Sequence, residues 1–405
     1  MIRRIEGARP PRPAADPVEQ VVDGELLDTG QGTIVVVRRD YALTHRHGAE
    51  PLGDATAAPL EMLARAARID AELGDAGRLL FLDTETTGLA GGAGTLPFLI
   101  GLGWFDPSGA LHLEQLFLAR PGEERPMLAR LAERLSTASC IVSFNGKSYD
   151  WPLLRTRFVM NRMPVPAPPP HLDLLHCARR AFRHRCQSAR LVELEAEVVG
   201  HVRHGDIPGH LIPQLYFAYL RSRGGGALRR VMDHNAQDLL MLAALLGHLS
   251  ERFAAPAEGV DCRDALGLAE VAFRVRDHER ADAFAALAAG SSRPDLASAA
   301  LVIRARVRWR ARDVAGAVAW LERAVVLAPR PLAPRLHLAL AKLHEHRLRD
   351  FQRALQHAAQ AAGAEPPAKA ERRLQRLREK QERAGREAVT TPSGRPGRSA
   401  APNPG

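Results

Sequence analysis

Cysteine is scarce in this chain and long apolar runs are missing, and each scarcity closes off a class of protein. The four cysteines, Cys140, Cys177, Cys186 and Cys262, form neither C-x-x-C pairs nor the dense spacing of a disulfide scaffold. The reducing cytoplasm is therefore the expected compartment, and no zinc site is implied. No window approaches the roughly 18 uninterrupted apolar residues of a membrane span, and the opening MIRRIEGARPPRPAADP is basic without an apolar centre, so neither a cleaved signal nor membrane association is expected. A Walker-type lysine motif is also absent, which argues against a nucleotidyl-transfer or ATP-using enzyme.

What the chain does contain is enough for two or three domains, each with its own core: 405 residues, 46% hydrophobic and 25% charged. Fifty-six Lys and Arg against 46 Asp and Glu leave a net charge of +10. That balance suits a polyanionic partner such as nucleic acid, and it equally suits an arginine-rich composition with no such partner.

Along the chain, residues 1–17 read as a Pro-rich mobile leader. Residues 18–76 hold a hairpin, Gly24 to Leu27 and Thr33 to Arg38 around a glycine turn, and then a helix over Pro59 to Leu73. From 77 to 255 strands and helices alternate: Leu79 to Leu82, Pro97 to Phe105, a half-exposed strand over Leu111 to Leu118, a helix over Glu123 to Leu135, and a buried strand over Cys140 to Phe144. This order predicts an α/β fold with a mixed sheet flanked by helices. The glycine cluster Gly88 to Gly94 could cradle a phosphate only if it opened a helix, and it runs instead into the strand-like Leu96 to Gly101, so it reads as a turn.

Beyond Asp261 the texture becomes alanine-rich and helical. The phrase Arg-Asp-x-x-x-Ala occurs at Arg276, Arg312 and Arg349, spaced 36 and 37 residues apart (312 − 276 and 349 − 312). A second alanine follows each at the same offset, as Ala288, Ala324 and Ala361. Small residues at such positions let paired helices approach closely, so 261–365 predicts an all-α array of helix pairs that resembles tetratricopeptide-type repeats. Residues 366–405 form a basic tail that begins as a helix and ends in Pro/Gly/Ser-rich disorder.

The stretch FLDTETTGL places Asp83 and Glu85 two residues apart at the end of a strand, where both side chains project to the same face. An isolated D-x-E is usually a solvated strand end. Two further acidic segments accompany it: Asn145-Gly146-Lys147-Ser148-Tyr149-Asp150, where Asp150 reads otherwise as a helix cap, and His234-Asn235-Ala236-Gln237-Asp238, introducing an apolar helix over Leu239 to Leu249. In that helix, spacing of four sets His234 and Asp238 on one face.

Taken in order, D-T-E-T-T-G-L, N-G-K-S-Y-D and H-N-A-Q-D resemble the three motifs of the DEDD superfamily of 3′→5′ exonucleases, whose fold is ribonuclease H-like. The closest subgroup is the YprB-like ribonuclease H domain, whose glycine-rich turn and D-I-P-G segment are similar to Gly88 to Gly94 and Asp206 to Gly209; the resemblance covers about Gly24 to Ser250. Other branches place Tyr with three intervening residues, or His with four, ahead of the last acid, whereas this chain has His with three.

The resemblance implies a nuclease with two divalent ions, Mg²⁺ or Mn²⁺, held by Asp83, Glu85, Asp150 and Asp238. Asp83 would bridge the ions, Glu85 and Asp238 complete the one on the nucleophile side, and Asp150 serve the other through water. His234 would orient or deprotonate the attacking water. Such ions prefer oxygen ligands, and a pair about 3.5–4 Å apart serves both the nucleophile and the leaving oxygen of phosphodiester hydrolysis. The expected substrate is DNA or RNA, trimmed from single-stranded ends.

Thr84, Asn145, Lys147 and Asn235 are candidate substrate contacts, with Asn145 and Asn235 reading first as turn or cap residues. Asp173 reads as an acid behind the site or as a cap. Arg179, Arg180, Arg183, His184, Arg185 and Arg190 read as a nucleic-acid path or an exposed helix face, and Tyr216, Phe217 and Tyr219 as base-stacking residues or a buried face. A different class of protein is also compatible: a scaffold that binds nucleic acid or protein through its helical repeats, with the nuclease fold inactive.

Overall fold

The computed structural model describes residues 17–57, 60–69, 73, 78–88, 94–222, 225–254 and 260–390. The expected leader up to residue 16, the centre of the glycine cluster at 89–93 and the tail from 391 lie outside the described residues. The chain divides into two compact units, Met1–Val260 and Asp261–Gly405. Among the described residues no helix is long and apolar enough to cross a membrane.

The first unit is a seven-stranded mixed sheet with flanking helices. After α1 (Val18–Val21), the hairpin β1 (Glu25–Asp28) and β2 (Thr33–Tyr41) turns through Gly30 and Gly32, both at positive φ, with Gly30 N–H donating to Asp28 Oδ1 at 2.9 Å. A small separate hairpin, β3 (Arg46–His47) and β4 (Glu50–Pro51), precedes α2 (Leu60–Ala67). The helix expected up to Leu73 thus stops early, followed by Arg68 at a φ of 57°.

Then come β5 (Leu79–Thr86), β6 (Pro97–Phe105), β7 (Leu111–Phe117), α3 (Glu124–Thr137), β8 (Cys140–Ser143), α4 (Asp150–Met160), β9 (His171–Asp173), α5 (Leu174–Ala181) and α6 (Leu191–Leu194). A π-helical turn, Glu195–Val199, extends α6 before α7 (Ile212–Ser222) and α8 (Gly226–Ala254). The strand order is β1-β2-β7-β6-β5-β8-β9. Pairing is antiparallel from β1 through to β5, then parallel from β5 to β8 and β9. β5 therefore sits between the meander and the parallel strands, with Leu79, Leu80, Phe81 and Leu82 all buried.

β7 departs from the half-exposed strand expected: both of its faces are covered, and Glu114 and Gln115 are fully buried. Burying a charge without partners is costly. Glu114 accepts from Arg130 Nε at 2.7 Å and Nη2 at 2.8 Å, with Arg38 Nε at 3.2 Å, while Gln115 donates towards α8.

α8 also departs from expectation, because it begins two turns before the H-N-A-Q-D motif instead of after it. Every residue from Leu239 to Ser250 is buried. Packing of that apolar stretch against the sheet, continued N-terminally by buried Leu228, Val231 and Met232, carries the polar motif into the helix interior. α7 packs the same core through Tyr216, stacked on Phe98 at a centroid separation of 4.1 Å, and through buried Tyr219; Phe217 points out, 42% exposed.

The second unit consists of α9 (Cys262–Arg274), α10 (His278–Ala289), α11 (Pro294–Arg310), α12 (Val314–Leu327), α13 (Ala333–Leu343), a π-helical turn (His344–Leu348), α14 (Phe351–Gln360) and α15 (Pro367–Thr390). The repeated Arg-Asp dipeptide makes the same corner three times. Arg276, Arg312 and Arg349 adopt positive φ of 66°, 62° and 54°. Asp277, Asp313 and Asp350 then cap the next helix by accepting from the backbone N–H three residues on. The repeated alanines Ala281, Ala288, Ala317, Ala324, Ala354 and Ala361 are all buried.

Candidate active site

The sheet brings the acidic residues together from three separate segments. Asp83 and Glu85 lie in β5, both half-buried, and Asp150 is the buried first residue of α4. His234 and Asp238 stand one turn apart in α8. His234 Nε2 is 3.9 Å from Glu85 Oε1 and 3.5 Å from Asp238 Oδ2. One ligand atom each from Glu85, His234 and Asp238 fall within 4.8 Å of one another.

Each side chain is held from behind. Asp83 Oδ2 accepts from Asn235 Nδ2 at 2.8 Å, and Asn235 Oδ1 accepts from Gln115 Nε2 at 2.9 Å. Asn235 is thus a buried helix-interior residue rather than the cap expected, its amide committed to a ligand residue. Gly101, opposite Asp83 in β6, makes this possible: a Cβ there would lie 2.3 Å from Asn235 Oδ1. Thr84 Oγ1 donates to Asp150 Oδ1, so this candidate substrate contact is engaged with an acid of the site. Asp150 is the first residue of α4, and Tyr149 occupies the N-cap position.

The loop bearing Asp150 hangs on Asp173. Asp173 Oδ1 accepts from Asn145 N–H at 2.8 Å and Leu175 N–H at 3.1 Å, and Oδ2 from Lys147 N–H at 3.3 Å. It therefore both caps α5 and fixes the turn, in which Asn145 has a φ of 65°. The side chains of Asn145 and Lys147 are exposed. The arginine cluster around α5 is partly committed: Arg180 donates to Ala66 O at 2.7 Å, Arg185 to Glu197 O and Arg183 Nε to His184 Nε2 at 3.0 Å, while Arg179 and Arg190 are exposed.

Two further residues complete the geometry: Asp206, the first residue of the D-I-P-G segment, and Arg203, which no motif singled out. Asp206 accepts from His234 Nδ1 at 2.8 and 2.9 Å. The His234 hydrogen bond and charge, with Ile207 N–H and Arg203, outweigh burial and hold Asp206 below its ordinary range. Such a carboxylate only accepts, so Nδ1 carries a proton, and Nε2 faces Glu85 and Asp238. Arg203, almost fully buried, donates to Asp238 Oδ1 at 2.6 Å and to Glu195 Oε2 at 2.6 Å. Asp206 is 28 residues from His234 and Arg203 is 35 from Asp238; only the D-I-P-G segment marked this region in the sequence.

Electrostatically the cluster is strained. Burial first, then the charges of Asp238 and Asp150, push the Asp83 carboxyl well above its usual range. Burial and Asp83, Asp238, Asp150 and Asp206 do the same to Glu85, and burial raises Asp150 to about 6. Asp83 and Asp238 are both half-buried. Oxygen donors that repel one another and a single imidazole fit hard divalent cations better than soft ones.

Comparison with known proteins agrees with this fold. Residues 80–250 match the model of the RNase_H_2 family of the RNase_H superfamily. The chain is also 34% identical over 217 residues to an uncharacterized protein, YprB, of Bacillus subtilis (strain 168), an overlap of 53% of this chain and 52% of the relative. It thus spans about half the length of the curated relative it matches. The first unit thus has a ribonuclease H-like fold over the matched residues.

Proposed function

We propose that the ribonuclease H-like domain is a metal-dependent nuclease that hydrolyses phosphodiester bonds by a DEDD-type, two-ion mechanism, trimming single-stranded 3′ ends. The observation that carries this reading is the convergence of Asp83, Glu85, Asp150 and Asp238, from β5, α4 and α8, into one half-buried cluster, in which the carboxyls of Asp83, Glu85 and Asp150 are pushed towards protonation. Among the described residues no lysine or arginine lies within ion-pair distance of Asp83, Glu85 or Asp150, so the compensating positive charge is expected from divalent ions and not from the protein.

Asp83, Glu85, Asp150 and Asp238 would hold Mg²⁺ or Mn²⁺, which, when bound, supplies Lewis-acid stabilisation of the attacking and leaving oxygens. The protein's own part is positional and proton-handling. Asn235 orients Asp83, Thr84 orients Asp150, and Arg203 fixes one oxygen of Asp238 while the other faces His234. His234, its Nδ1–H donated to Asp206, presents Nε2 as the acceptor for a proton of the attacking water, and Asp206 stabilises the imidazolium that results.

The helical unit, whose repeats resemble the tetratricopeptide type, serves in this reading as a partner- or substrate-holding arm. The test is hydrolysis of 3′- and 5′-labelled single-stranded DNA and RNA, and of a circular single strand, in Mn²⁺, Mg²⁺ or chelator. Stepwise release of 3′ nucleotides only with divalent ion is expected. Cleavage of the circle would overturn the end-directed reading, and no hydrolysis of any substrate would favour the binding scaffold.

A further inference from the structure

The second unit carries a histidine cluster with no role in the nuclease reading. His337 lies in α13, and His344, seven residues on, follows on the same face at the start of the π-helical turn. His357 reaches them from α14 and Glu322 from α12. His337 Nδ1 and His357 Nδ1 are 3.0 Å apart. The His344 and His357 rings stack at 5.5 Å, and His344 Nε2 is 3.9 Å from Glu322 Oε1. One ligand atom each from Glu322, His344 and His357 lie within 4.8 Å of one another.

His344 is the informative member. It is 1% exposed, and neither of its ring nitrogens has a hydrogen-bond partner among the described residues; Asp350 Oδ2 is 4.0 Å away from Nδ1. Two unpaired polar atoms on one buried side chain are costly and call for a ligand. The other imidazole and carboxylate cluster, His47, Glu195 and His201, makes no such demand, because Glu195 is already bonded to His47 and Arg203, each at 2.6 Å.

We propose that Glu322, His337, His344 and His357 form a site for a borderline divalent transition ion of the Zn²⁺ class, clasping α12, α13 and α14. Imidazole nitrogens with one carboxylate suit this class, and Zn–N and Zn–O bonds of about 2.0–2.2 Å place neighbouring donors about 3.3 Å apart. The separations of 3.0 and 3.9 Å bracket that value. Burial lowers the proton affinity of His337, His344 and His357, which keeps their lone pairs available. Arg353, 3.6 Å from Glu322 Oε1, competes for the carboxylate, making Glu322 the weakest donor. A π-helical insertion immediately after α13 is a frequent device for placing a functional side chain.

The test uses the full chain without a histidine tag, stripped with chelator and titrated with Co²⁺ and then Zn²⁺. One equivalent of Co²⁺ is expected to give the visible absorption of a nitrogen-rich four-coordinate site, displaced by Zn²⁺, with a rise in the thermal midpoint. His357→Ala and His344→Leu should each weaken binding by about 100-fold or more, beyond the ~10–100-fold typical of a residue behind a ligand, and Glu322→Gln by less. Asp238→Ala should leave the absorption in place. Should His344→Leu fail to fold, His357→Ala and Glu322→Gln decide. The proposal is overturned by an absence of stoichiometric binding, by unchanged binding in His357→Ala, or by absorption that disappears in Asp238→Ala.

Discussion

Glu85, half-buried in the first unit, and Glu345, buried in the second, are carboxylates whose surroundings drive them in opposite directions. Glu345, fully buried in side chain, bonds to Arg376 Nε and Nη2 and to Lys380 Nζ, each at 2.8 Å, with Arg373 at 3.5 Å. Burial raises its proton affinity, yet the hydrogen bonds from Arg376 and Lys380 win and hold it at about 2. Glu85 meets burial plus four like charges and is pushed well above its usual range. Where a buried acid docks a helix, as Glu345 does for α15, the chain supplies the cations itself. Where the chain gathers acids and leaves three of them without a lysine or arginine partner among the described residues, the charge balance is left to something that binds.

The sharpest way to break that contrast is Asp83→Asn, which removes charge and keeps shape. Hydrolysis should fall by more than about 10⁴-fold, beyond the range of a lost general base, while the thermal midpoint of the first unit holds or rises as one repelling charge disappears. A retained rate in an end-label assay would remove Asp83 from the chemistry. His234→Ala should cost ~10²–10⁴-fold with metal binding retained, and its residual rate should climb with pH as hydroxide substitutes for the missing base. An unchanged rate or an unchanged pH profile would reduce His234 to packing.

On the other side of the comparison, Glu345→Gln should destabilise the second unit by about 3 kcal/mol, the low end of the ~3–5 kcal/mol for breaking a buried pair, because Arg376 and Lys380 reach solvent. The two units should also respond oppositely to pH. Glu345 is depressed from 4.5 to about 2, so its contribution is fully present above about pH 4.5 and is lost as pH falls towards 2. Asp150 is raised from 3.8 to about 6, so the first unit loses stability as pH rises through that interval, and divalent ions should restore it. Melting curves of both transitions with and without Mn²⁺ check the signs. A smaller effect is expected of Gly101→Ala, which crowds Asn235 and loosens Asp83: about 10–100-fold in Mn²⁺ affinity, read by titration.

What the sequence made legible was local. The D-T-E pair announces itself because strand pleating puts two side chains on one face, and the Arg-Asp corners because a left-handed residue and a capping Asp are adjacent in the chain. The hidden parts of the site are long-range: Asn235 meets Asp83 across 152 residues and Arg203 meets Asp238 across 35. The polar motif at His234 to Asp238 read as the prelude to a helix, yet it lies inside one, because the buried stretch that follows and the apolar turns before it pack as a single rod. β7 read as half-exposed because polar residues alternate with its leucines, and only the arginines of β2 and α3 and the helix over the sheet explain the burial of Glu114 and Gln115.

The most direct test of the claim that the strained acids exist to hold cations is the stoichiometry of Mn²⁺ binding, followed by the resonance of the free ion in the wild type, in His234→Ala and in Asp83→Asn. Two equivalents in the wild type and in His234→Ala, and at most one in Asp83→Asn, are the result expected. Equal binding in all three proteins, or none in the wild type, would contradict it.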